Sequence, residues 1–134
     1  MRTGGCQCGA VRYASAGEPV ALYICHCREC QKQSASAFGM SLQVPSAGVR
    51  LTQGAPHRWT RPAASGRRVT CVFCPECGSR LWNEPEAGGA HVTLKAGSLD
   101  QPVDFSAGIH IWTLRKLPGL KIPPDVRQFT GEPD

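Results

Sequence analysis

All eight cysteines of the chain fall in three short clusters. The first is Gly5-Cys6-Gln7-Cys8-Gly9. The second is Cys25-His26-Cys27-Arg28-Glu29-Cys30, and the third is Cys71-Val72-Phe73-Cys74-Pro75-Glu76-Cys77-Gly78. Thiols this close along a chain are badly placed to bridge one another, because a disulfide needs a narrow range of Cβ separations and torsions. The same spacing lets several sulfurs converge on one ion. Met1 to Cys6 contains no apolar core of a signal peptide, so a cytoplasmic location is expected, where thiols stay reduced and cysteine clusters bind metal.

Length and breakers bound the rest. A chain of 134 residues has the size of one domain, expected to span 1–134. No run approaches the roughly 18 apolar residues of a membrane helix, so no membrane partner is expected. Fifteen glycines and eleven prolines leave few uninterrupted windows for long helices. Strands are predicted over 10–14, 20–25, 39–44, 67–73, 91–96 and 108–114, and one short helix over 27–34. From Leu117 onward the prolines predict an extended wrap. The fold class that follows is mainly β: short coiled sheets built around metal.

A formal charge of +5 and a pI near 8.9 raise the question of nucleic acid. Ionising seven cysteines around two Zn²⁺ lowers that charge to about +2. The basic residues are scattered and show no aromatic–basic stripe, so nucleic acid is not an expected partner.

Cys74-Pro75-Glu76-Cys77-Gly78 has the form of a zinc knuckle. Its proline presets φ at the turn, and its glycine tolerates positive φ. A knuckle supplies two of the four ligands of a closed structural site, and Cys6 and Cys8, also closed by a glycine, are the natural complement. This site would close a loop of about seventy residues, a large constraint in a small domain. Cys25, Cys27 and Cys30 remain as a group of three. Three protein ligands and an open position describe a catalytic zinc; closure by Cys71 or a histidine would instead give a second inert centre. Cys71 reads as a buried strand thiol. His26, between two ligands, should point away from their ion, to the surface or a supporting position. His110 reads as a half-buried, hydrogen-bonded strand residue, and Glu29 and Lys32 as a solvated helix face. His57 and His91 carry no motif.

Taken together, the three clusters in this order resemble the glutathione-dependent formaldehyde-activating enzyme family, which includes centromere protein V. Lys95-Ala96-Gly97-Ser98-Leu99-Asp100, His110-Ile111-Trp112 and Lys116-Leu117-Pro118 also resemble its later motifs. The resemblance implies coiled β-sheets of the type found in a small zinc-binding Rab exchange factor. It implies a structural zinc on Cys6, Cys8, Cys74 and Cys77, and a catalytic zinc on Cys25, Cys27 and Cys30. It further implies carbon–sulfur lyase chemistry on a small-molecule thiol–aldehyde adduct, with glutathione as the thiol and formaldehyde as the aldehyde. Cys71 lies outside the family's metal motif, and Gly119 stands where many members carry tryptophan. The competing readings are a non-catalytic, zinc-stabilised protein-binding module and a labile-zinc carrier or sensor.

Overall fold

The computed structural model describes residues 1–133. Ten strands and one α-helix follow in chain order: β1 (Arg2–Gly5), β2 (Arg12–Ser15), β3 (Ala21–Cys25), α1 (Arg28–Ser34), β4 (Gly39–Pro45), β5 (Val49–Gln53), β6 (His57–Pro62), β7 (Arg68–Phe73), β8 (Arg80–Pro85), β9 (His91–Lys95) and β10 (Ile109–Ile111). They form a three-stranded sheet in the order β1-β2-β5 and a seven-stranded sheet in the order β10-β3-β4-β9-β8-β7-β6. Neighbours are antiparallel throughout except β10, which runs parallel to β3.

The core lies between the sheets, where alternating side chains of each meet. Val11, just before β2, and Tyr13 of the small sheet pack with Ile24, Leu42, Val44, Val72, Leu81, Trp82 and Leu94 of the large one. Tyr13 meets the Trp82 ring edge-on at 5.6 Å, and its hydroxyl is 2.7 Å from Ser98 Oγ. Gly4 makes this approach possible, since a Cβ there would sit 2.6 Å from the Tyr13 ring.

The mainly β architecture agrees with the sequence reading, and six predicted strands and the helix are present with ends moved by a few residues. The largest difference is at the last strand. It stops at Ile111 because Trp112 turns left-handed (φ 56°) into a short 3₁₀ turn over Thr113–Arg115. The tail then returns beside β10: His110 N–H donates to Arg127 O at 3.0 Å, and Phe129 N–H donates to His110 O at 2.9 Å. β1, β5, β6 and β8 carry no clear sequence signal. β1 contains two glycines, β5 and β6 are largely exposed and polar, and β8 ends in proline directly after the knuckle.

Candidate metal centre

β1 leads into Cys6, and β7 leads into Cys74. Each strand ends in a similar turn. Gly9 N–H donates to Cys6 O at 3.2 Å with Gly9 at φ +82°, and Gly78 N–H donates to Cys74 O at 2.9 Å with Gly78 at φ +81°. Glycine suits both positions because the left-handed region carries no penalty without a Cβ. Gln7 N–H donates to Ser79 Oγ at 3.0 Å and joins the two turns. The sulfurs of Cys6, Cys8, Cys74 and Cys77 then lie within 4.8 Å of one another. Val11 N–H donates to Cys6 Sγ at 3.2 Å and Glu76 N–H to Cys74 Sγ at 3.3 Å. The Ser79 hydroxyl and backbone hold Cys77 down to about 5.

The second group forms where β3 meets α1. Cys25 closes the strand, and Cys27 caps the helix by accepting the Cys30 N–H on its sulfur at 3.3 Å. Gln31 fixes this corner, donating from Nε2 to His26 O at 2.8 Å and to Arg115 O at 3.0 Å. The sulfurs of Cys25, Cys27 and Cys30 lie within 4.8 Å of one another, and among the described residues no fourth histidine, cysteine or carboxylate joins them. Contacts with the Cys25 and Cys30 sulfurs hold Cys27 down to about 2, while the Cys27 and Cys30 sulfurs push Cys25 up. A divalent cation among them would let all three ionise.

Both groups have the donor chemistry of a zinc site. A tetrahedral ion with Zn–S bonds of about 2.3 Å separates its sulfurs by about 3.8 Å. Cys6 and Cys8 sulfurs are 3.6 Å apart, and those of Cys8 and Cys74 are 3.8 Å apart. These separations are far beyond the S–S bond of about 2.05 Å, and all eight cysteines are free. Cys71 stands apart from both groups, fully buried in β7.

The histidines depart from expectation. His26 points away from the cluster but into the interior, not to the surface: it is 0% exposed. His110 is also buried rather than half-buried. Burial, followed by the charges of His110 and Lys116, lowers His26 to about 4, and burial lowers His110 as well. Glu29 is exposed and lies 3.7 Å from Arg61, and Lys32 is exposed.

A cavity of about 720 Å³ opens beside the four-cysteine group and reaches Gly39, next to Cys30; Cys25, Cys27 and Cys30 themselves do not line it. Cys6 and Gly78 line it on one side, Ser34 and Gly39 on the other, with Arg80 and Lys95 contributing positive charge. Its volume falls within the range of small-molecule sites. The sequence gives Lys95 only as part of a family-like stretch. Its burial arises because β9 is flanked by β4 and β8, a pairing that no local pattern announces.

A Rhodobacter sphaeroides protein of known crystal structure shares the fold, with a TM-score of 0.57 and 18% identity; the match covers 76% of this chain and 90% of that one. The sequence model of the glutathione-dependent formaldehyde-activating enzyme family matches residues 1–115, a span that includes both cysteine groups and every residue lining the cavity. The chain therefore belongs to the glutathione-dependent formaldehyde-activating enzyme family.

Proposed function

We propose that the protein is a zinc-dependent carbon–sulfur lyase that interconverts a thiol and an aldehyde with their S-hydroxyalkyl adduct. Glutathione and formaldehyde are the pair the family points to. The observation that carries this reading is the difference between the two groups: four sulfurs converge in one and three in the other. A set of four sulfurs closes a tetrahedral ion, whereas a set of three leaves room for a substrate sulfur.

In this reading Cys6, Cys8, Cys74 and Cys77 hold a structural zinc, and Cys25, Cys27 and Cys30 hold a catalytic one. A zinc ion bound there supplies a positive charge that favours the thiolate form of a substrate thiol at neutral pH. The chain's own residues do the rest. Cys27 at the helix cap and Cys25 at the strand end fix the direction in which the sulfurs face. The cavity beside them, reached past Gly39, has room for the remainder of the thiol compound, and its Arg80 suits a carboxylate of glutathione. Holding thiol and aldehyde together converts an encounter of two solutes into a reaction within one site.

Adduct formation also proceeds unaided in water, so the test must compare rates. Cleavage of S-hydroxymethylglutathione by the zinc-loaded protein should exceed the buffer rate, and Cys27→Ser should remove the excess. Equal rates with and without protein, at two zinc per chain, would sink the lyase reading.

A further inference from the structure

We propose that Lys95 is the oxygen-binding group of this site, its ammonium holding the adduct oxygen in the cavity that Lys95 and Gly39 line. The proposal rests on the lyase reading for its substrate, and on two independent geometric observations for its residue.

The first is the environment of the ammonium. Lys95 is 7% exposed, and its Nζ donates to Ser41 Oγ at 3.1 Å. Ser41 lies directly across from it in the β4–β9 ladder. An ammonium has three donors, and no other hydrogen bond and no carboxylate ion pair engages this one among the described residues. A buried cation so thinly partnered is unfavourable unless something negative sits nearby. The neighbour that could carry such charge is the cysteine group, since Lys95 Nζ and Cys30 Sγ lie on either side of Gly39.

The second is the space the ammonium faces. A Cβ on Gly39 would lie 3.3 Å from Lys95 Nζ and 3.5 Å from Cys30 Sγ. Gly39 has no side chain to stand between cation and sulfur, so Lys95 Nζ and Cys30 Sγ are neighbours across it, and Gly39 and Lys95 both line the cavity. An oxygen in the cavity beside Lys95 can accept an N–H···O bond from its ammonium, while the attached carbon stays on the side of Cys30.

This placement matches the reaction. In the synthetic direction the substrate thiolate attacks the aldehyde carbon. The C–S bond forms, and the carbonyl π pair moves onto oxygen. The developing alkoxide meets a fixed ammonium in a site with little water, where such stabilisation is strongest. The alkoxide takes a proton from Lys95, which recovers one from water, so over a cycle the proton lost by the thiol ends on the adduct oxygen. In the cleavage direction the steps reverse: Lys95 gives a proton to water and takes the proton of the adduct O–H, the O–H pair becomes the C=O bond, and the C–S pair leaves with sulfur. The oxygen carries its charge only during C–S bond making or breaking, so Lys95 acts on the rate more than on thiol binding.

The alternative role for Lys95 is to balance the charge of the sulfurs, and the test separates the two. Lys95→Met keeps the length of the side chain and removes its charge. Expected are an unchanged zinc content, a glutathione affinity within about twofold by calorimetry, and a fall of about a hundredfold in kcat/KM for adduct cleavage. A kcat/KM within threefold of the parent would overturn the proposal. So would parallel loss of zinc and glutathione affinity, which marks a counter-charge. Acetylation of the native protein, mapped at Lys95 by mass spectrometry, serves if the variant does not fold. S-hydroxymethylglutathione should protect Lys95 more than S-methylglutathione, which lacks the oxygen, and equal protection again overturns the proposal. The lyase reading fails separately, through absence of rate enhancement in the parent protein.

Discussion

His26 Nε2 lies 2.9 Å from His110 Nδ1, the two rings stacked at 5.1 Å in the interior. His26 Nδ1 is buried without a partner. The lower-cost arrangement has His26 Nε2–H donating to His110 Nδ1, since the reverse would bury an unbonded N–H. The contact joins the turn between Cys25 and Cys27 to β10, which the tail also pins.

This pair makes the protein acid-sensitive. Burial holds His26 near 4 in the fold, against an ordinary value of 6.5, so the unfolded chain takes up its proton first as pH falls. The stabilisation is complete above about pH 6.5 and is lost as pH falls toward 4, by on the order of 3 kcal/mol. Urea unfolding at pH 7.5 and pH 5 should show about 2 kcal/mol of this loss, the rest lying below pH 5. Replacing both histidines by leucine should flatten the slope; an equal slope in the double variant would show that other groups cause it.

Cysteine substitutions should divide the two groups. Cys77→Ser should lower the unfolding temperature by about 10 °C or more, because metal binding and closure of a long loop are lost together. Cys27→Ser should stay folded and bind one zinc fewer, measured by elemental analysis beside circular dichroism. Widespread unfolding of Cys27→Ser would contradict the division of roles.

Gly39→Ala tests the opening next to Cys30. The new methyl would meet Cys30 Cβ at 3.1 Å and Lys95 Nζ at 3.3 Å, tight enough that both must give way. A stability cost of about 1–2 kcal/mol is expected, with a larger loss in kcat/KM than in glutathione affinity. Denaturant unfolding and steady-state kinetics on the same preparation would show whether the two effects separate.

Cys71→Ala should cost about 1 kcal/mol through a small cavity in β7 and leave zinc content unchanged. Loss of a zinc equivalent would place Cys71 among the ligands.

Much of the metal architecture was legible in the chain. Sulfurs two or three residues apart, with Gly9 and Gly78 positioned to turn the backbone, fix what each short segment can do wherever it lies. β7 was readable because Val69, Cys71 and Phe73 alternate with Arg68, Thr70 and Val72, polar at two of the three positions. β5 and β6 were not, because their side chains are largely exposed and their pairing depends on backbone hydrogen bonds to β2 and β7.

By itself, then, the sequence determined the three cysteine clusters and the local turns that present their sulfurs, since these depend on spacing and backbone preference alone. Tertiary structure decided which clusters meet. Packing of the small sheet against the large one carries Cys6 and Cys8 to Cys74 and Cys77 and leaves Cys25, Cys27 and Cys30 with no fourth partner among the described residues. It also decided that His26 turns into the interior against His110 and that Lys95 lies buried facing Cys30 across Gly39. Burial and charge proximity come from residues tens of positions apart, and no local pattern encodes them.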